Sequence, residues 1–133
     1  MHRAFRYRFY PSPSQEVLLR KTMGCSRFVY NHFLALRIKE WTTNQKSVSY
    51  NETSSILTQL KKEEETKWLN EVSSVALQQS LQNLQEAYNN FFRGLKKKQK
   101  VGFPRFKKKN NRNSITLTKT AFSYKNGEIF IAK

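Results

Sequence analysis

The spacing of apolar residues changes twice along this chain, and the order of those changes restricts the fold more than composition does. At the start Phe5, Tyr7 and Phe9 alternate with Arg6, Arg8 and Tyr10, the period of a half-buried strand with a basic outer face. Pro11 stops that pattern. Ser12-Pro13-Ser14-Gln15 then reads as a helix start, with Ser12 as N-cap, Pro13 at the first helical position and Gln15 closing a capping box. A short helix to about Met23 is predicted, broken or bent at Gly24. A second follows from Cys25 to Trp41, where Phe28, Val29, Phe33 and Leu36 form a stripe widened by Leu34, Ile38 and Trp41.

Residues 42–47 are a polar loop, and Ser49-Tyr50-Asn51-Glu52 is a second capping box opening a helix through Leu57 and Leu60 to about Glu64. Trp68 and Leu69 suit a packed loop. The longest helix begins at Ser73 or Ser74, and its Leu77, Leu81, Leu84, Tyr88, Phe91 and Leu95 recur at alternating spacings of four and three, a seam for other helices. Beyond residue 113 the period returns to two: Ile115, Leu117 and Lys119 alternate with Thr116, Thr118 and Thr120. Ala121 to Tyr124, an Asn126-Gly127 turn and Glu128 to Ala132 follow as strands. The expected class is α+β: an inserted four-helix bundle, with the N-terminal strand and the C-terminal strands sharing one sheet of a partial antiparallel β-barrel. The boundaries are 1–11 and 113–133 for the partial barrel, 12–95 for the helical lobe and 96–112 for a basic connecting loop. A length of 133 residues suits one domain with an insertion.

Charge points to the partner. The chain has 25 Lys and Arg against 9 acidic residues, a formal +16, which a folded domain carries more easily when it meets a polyanion. Ten of the basic residues fall between Arg93 and Arg112 with no acid among them. Candidates for backbone phosphate are therefore Arg6, Arg8, Arg93, Lys96, Lys97, Lys98, Lys100, Arg105, Lys107, Lys108, Lys109 and Arg112. Val101-Gly102-Phe103-Pro104-Arg105-Phe106 interrupts this run, and its two Phe residues serve either to anchor the loop to the body or to stack on bases. Two helices meeting at Gly24 would suggest helix-turn-helix, but the second lacks a basic N-terminal turn for reading bases.

Other chemistries find little support. No window approaches the ~18 apolar residues of a membrane span, and the first residues have no apolar signal core. Cys25 is the only cysteine, so neither an internal disulfide nor a zinc knuckle can form, and a reducing cytoplasm fits. The acids are scattered or form the helix-end run Glu63 to Glu65, rather than clustering to hold a divalent metal. His32 and Cys25 read as buried structural side chains, and there is no Gly-rich phosphate loop. Neither a cofactor nor a catalytic residue is expected.

Several stretches resemble the N-terminal region of the OrfB/TnpB proteins of bacterial insertion sequences, compact RNA-guided nucleases related to type V CRISPR effectors. They are Tyr7-Arg8-Phe9-Tyr10-Pro11, Arg27-Phe28-Val29-Tyr30-Asn31-His32-Phe33-Leu34, Trp68-Leu69, Ala76-Leu77-Gln78 through Leu84, Tyr88 to Arg93, and Val101 to Phe106. The resemblance implies a wedge-like barrel flanking a recognition lobe, together gripping guide RNA and reading a short target-adjacent motif on double-stranded DNA. On this sequence it implies Tyr50, Ser54, Ser74, Val75, Gln78, Thr118 and Lys119 as the motif readers. Gln pairs bidentately with adenine, Ser and Thr bond base edges or phosphate, and Val meets a thymine methyl. It also implies that a RuvC-like nuclease with acidic metal ligands and a Cys-rich zinc element would follow residue 133, so no cleavage is expected from these residues. That C-terminal nuclease part is a further expected partner, in a cytoplasmic, nucleoid-associated setting. The alternative is a stand-alone DNA-binding regulator or transposition accessory factor, and a ribosomal-type RNA-binding protein is a third reading.

Overall fold

In the computed structural model, which describes residues 2–109 and 114–131, helix α1 runs without interruption over Pro13–Asn44. The break expected at Gly24 does not occur. A glycine inside a helix costs about 1 kcal/mol relative to alanine. The turns following Gly24 bury Cys25, Val29, Tyr30, Phe33 and Leu34, each large apolar side chain contributing about 1.5–3 kcal/mol. Burial therefore outweighs the local weakness. The expected four-helix bundle is three α-helices, with α2 over Tyr50–Leu60 and α3 over Ser74–Lys96.

Both capping boxes form. The Ser12 N–H donates to Gln15 Oε1 at 2.7 Å while the Gln15 N–H donates to Ser12 Oγ at 3.4 Å. Ser49 and Glu52 repeat the exchange at 2.8 and 3.2 Å, and the bonds to Ser49 hold the Glu52 carboxyl below its ordinary pKa. Helix α2 ends at Leu60, short of the expected Glu64, and a 3-10 turn over Lys67–Glu71 buries Leu69. Trp68 packs edge-on against Phe28, ring centroids 4.9 Å apart.

Helix α3 lies against both α1 and α2. Leu77, Leu81, Leu84 and Tyr88 meet Val29, Phe33, Leu34, Leu57 and Leu69 in one core. The seam does not reach Leu95, which is exposed; Gly94 is the buried residue on that turn. The end of α3 explains the exchange. Lys98 adopts a left-handed conformation at φ 54°, the Gln99 N–H donates to Gly94 O at 2.9 Å and the Lys98 N–H to Leu95 O at 3.1 Å. This Schellman closure turns the chain back, and Val101 settles where a side chain on residue 94 would lie.

Gly94→Ala is accordingly expected to destabilise the fold by roughly 1–3 kcal/mol through overpacking, although alanine is the better helix former. Adding Val101→Ala should restore part of the loss. Urea midpoints of the three proteins check this, and a more stable Gly94→Ala protein would contradict the packing.

The expected N-terminal strand is absent. Residues 3–10 have no regular structure, and Phe5, Tyr7 and Phe9 are 71%, 81% and 54% exposed. An alternating segment becomes a strand only when a neighbouring edge takes up its backbone hydrogen bonds. The sheet among the described residues is instead a hairpin of β1, Phe122–Lys125, and β2, Glu128–Ile131, paired with each other alone. Asn126 and Gly127, at φ 53° and 79°, make the expected tight turn. Residues 114–118 form no strand, and Lys119–Ala121 is a 3-10 turn. Among the described residues no sheet joins the N-terminal segment to the C-terminal strands. Arg112, Asn113 and Ala132 lie outside the described residues.

Candidate nucleic-acid interface

Three of the seven expected motif readers come together. Tyr50 in the first turn of α2 and Ser54 one turn later face Gln78 in the second turn of α3. Tyr50 Oη donates to Gln78 Oε1 at 3.1 Å and Ser54 Oγ to the same oxygen at 3.3 Å. All three side chains are half-buried. The two hydroxyls fix the carboxamide with its oxygen inward. No described residue accepts from its Nε2, so the two N–H groups remain as donors for a base-edge acceptor. A bidentate grip on adenine needs that oxygen, and would require both hydroxyls to let go.

Ser74 is exposed as the first residue of α3, and Val75 beside it is half-buried. Thr118 and Lys119 stand apart on the chain leading to the hairpin, where Thr118 Oγ1 lies 2.9 Å from Thr120 Oγ1. That segment touches α3 through Asn83 Nδ2, 3.5 Å from Thr116 Oγ1.

The basic loop after α3 is a strap tied down at four places. Val101 sits on Gly94. Phe103 sets its ring edge-on to Tyr88 and Phe91, at 5.4 and 5.3 Å, and Pro104 is buried. At the far end, Asn31 of α1 behaves like a neighbouring strand. Its Nδ2 donates to Lys107 O at 2.8 Å and its Oδ1 accepts from the Lys107 N–H at 2.7 Å. The Lys107 ammonium lies 4.5 Å from the centroid of the Tyr30 ring. Of the two uses open to its Phe residues, Phe103 anchors the strap; Phe106 is half exposed.

The expected phosphate-contacting residues divide accordingly. Lys96 ends α3, Lys97, Lys98 and Lys100 line the turn after it, and Arg105, Lys107, Lys108 and Lys109 the strap's second half, all exposed. Arg93 donates to Asn90 Oδ1 at 3.1 Å on the last turns of α3. Arg6 and Arg8 are exposed on the N-terminal segment, and Arg112 lies outside the described residues. The acids sit elsewhere: the ion pairs Arg20–Glu16, Lys21–Glu71, Lys46–Glu52 and Lys67–Glu64 lie on residues 16–71, and no acidic residue occurs between Glu86 and Glu128. The strap's cations thus face outward with no acid near them in sequence.

Sequence reasoning missed Asn31, Gly94 and Arg37. Arg37 lies 4.0 Å over the Tyr88 ring and donates to Gln85 Oε1 at 3.0 Å. Burial lowers its pKa and raises that of Tyr88, so this cation serves the helix interface. Burial also pushes the Cys25 thiol up, Glu71 adding to the rise, which suits the expected structural thiol. Among the described residues no three His, Cys, Asp or Glu side chains gather as a metal site, and no helix is long and apolar enough to cross a membrane.

A helix-turn-helix domain of OrfB insertion-sequence proteins matches residues 1–46. A Streptomyces pristinaespiralis protein, provisionally named as an RNA-guided DNA endonuclease, is 47% identical over 98% of this chain and 32% of its own length. InsQ of Escherichia coli, provisionally named likewise, is 34% identical over 98% of the chain and 31% of its own. The virulence protein VsdF of Salmonella dublin is 33% identical over 84% of the chain and 98% of its own length. This chain belongs to the OrfB/TnpB family. It spans about a third of the two endonuclease relatives, in their N-terminal part. Within that OrfB-matching stretch, residues 3–10 have no regular structure and the single helix α1 covers Pro13–Asn44.

Proposed function

We propose that this chain is the nucleic-acid-gripping part of a TnpB-like RNA-guided DNA endonuclease. The strap and the arginines of residues 3–10 hold guide RNA, and Gln78, set by Tyr50 and Ser54, reads a target-adjacent DNA motif with Ser74, Val75, Thr118 and Lys119. The observation that carries this reading is the fixed carboxamide of Gln78, whose N–H groups stay available at the edge of the α2–α3 contact. Exposed aromatic rows on residues 3–10 and on the hairpin, including Tyr124 and Phe130, suit a wedge-like barrel completed by further strands. Catalysis belongs to the nuclease part of the longer relatives, and a cytoplasmic, nucleoid-associated setting follows from the DNA target.

Two measurements test it. RNA co-purified under native conditions should be enriched for one structured species over a size-matched basic control protein; no enrichment would remove guide binding. With that RNA bound, Gln78→Ala should lower discrimination among randomised duplex motifs by about 0.5–1.5 kcal/mol, the net worth of a hydrogen bond, while leaving non-specific affinity in place. Unchanged motif preference would remove Gln78 as a reader.

The match to nearly the full length of VsdF supports a second reading, a regulator or transposition accessory factor that binds duplex DNA alone. Sequence-specific footprints without RNA would favour it.

A further inference from the structure

Where α1 and α3 meet the end of the strap there is a small cleft, and among the residues lining it are Ser26, Arg27, Ser80, Asn83, Lys107 and Thr116. Its cavity is small, about 30 Å³. Ser26 is only 7% exposed, and its hydroxyl is a buried polar atom with no hydrogen-bond partner.

The neighbours show that this is unusual for the site. One turn earlier Thr22 Oγ1 donates back to Leu18 O at 2.8 Å, and Ser80 Oγ donates to the Ser26 carbonyl at 2.6 Å. Among the described residues the Ser26 hydroxyl is the one buried side-chain polar atom left over. Buried hydroxyls are almost always paired, and an orphan weakens the fold unless something outside the chain pairs with it. The lining indicates what that is: two cationic residues, several hydroxyl and amide donors, and no acid. Asn31 holds the Lys107 backbone at the cleft's edge, and the Asn83 amide keeps only a long 3.5 Å bond to Thr116, so it can turn to a better acceptor.

We propose that this cleft seats one phosphodiester group of the bound nucleic acid, with the Ser26 hydroxyl and Asn83 amide donating to its oxygens and Lys107 supplying positive charge. The proposal rests on the nucleic-acid-binding reading and adds a defined seat to it. A buried hydroxyl loses little side-chain freedom on binding, and hydrogen bonds to an oxyanion are stronger than those to a neutral acceptor.

Ser26→Ala tests it, because it removes the orphan hydroxyl. Thermal melting without nucleic acid should be unchanged or slightly raised. Affinity for the co-purified RNA, or for a duplex DNA of equal length, should fall about tenfold, the worth of one hydrogen bond to a charged group. The slope of affinity against salt should stay the same, since no cation is lost. Asn83→Ala, at an exposed position, should weaken binding similarly and keeps the test decisive if Ser26→Ala folds poorly. A loss confined to RNA or to duplex DNA assigns the phosphate to that strand. Wild-type affinity of both variants for both ligands would overturn the seat and leave the hydroxyl to a buried water. Failure of the unmodified chain to bind either ligand would instead overturn the underlying reading.

Discussion

Replacing Lys96, Lys97, Lys98 and Lys100 together with alanine is expected to flatten the salt dependence of nucleic-acid binding by roughly three units of slope. Each cation that meets a phosphate contributes about 0.7 to 0.9. At ~0.1 M salt this corresponds to roughly a thousandfold loss of affinity, closing as salt approaches ~1 M. The fold should survive, because all four side chains are exposed. Lys96 ends α3 and the other three follow it, and Schellman bonds between backbone atoms close the helix, so the substitutions leave that closure intact. Binding titrations across a salt series measure the slope. An unchanged slope would take this turn out of the contact surface and leave the second half of the strap, Arg105 to Lys109, to carry the phosphates.

The second large effect concerns the platform beneath the strap. Phe33→Ala should destabilise the protein by about 3–5 kcal/mol, the cost of emptying a fully enclosed aromatic site. Phe33 is 0% exposed where α1 meets the other helices. With total stabilities commonly about 5–15 kcal/mol, this one change brings the chain close to unfolding. Trp41→Ala is the control: it removes a larger side chain that is 56% exposed, and should change stability by about 0.5 kcal/mol or less. Comparable losses from both, measured by denaturant unfolding, would contradict the burial of Phe33.

The same contrast shows what periodicity conveys and what it does not. The stripe of Phe28, Val29 and Phe33 and the run Leu77, Leu81, Leu84, Tyr88 mark helix faces because side chains three and four apart share a side. Both capping boxes were legible for a similar reason, since their bonds span only three residues. Gly24 misled because a glycine signals local weakness, whereas the continuity of α1 depends on how much apolar surface its later turns bury on α3. Residues 3–10 carry a strand pattern without a strand, because strand formation needs an edge that a local pattern cannot supply.

The interface divides in the same way. Its positive charge, the family it belongs to and the span of the basic segment follow from the sequence alone, because charge and word order survive without coordinates. Three features depended on the tertiary structure: the setting of Gln78 by two hydroxyls from α2, the clamp of Asn31 on Lys107, and the seating of Val101 on Gly94. Each joins residues that different elements bring together. Asn31 and Lys107 are 76 positions apart, and only the packing of α1 on α3 places that side-chain amide beside the strap's backbone. The sequence determined how much positive charge this chain carries and along which segment it runs; tertiary packing decided which donors face outward and how firmly they are held.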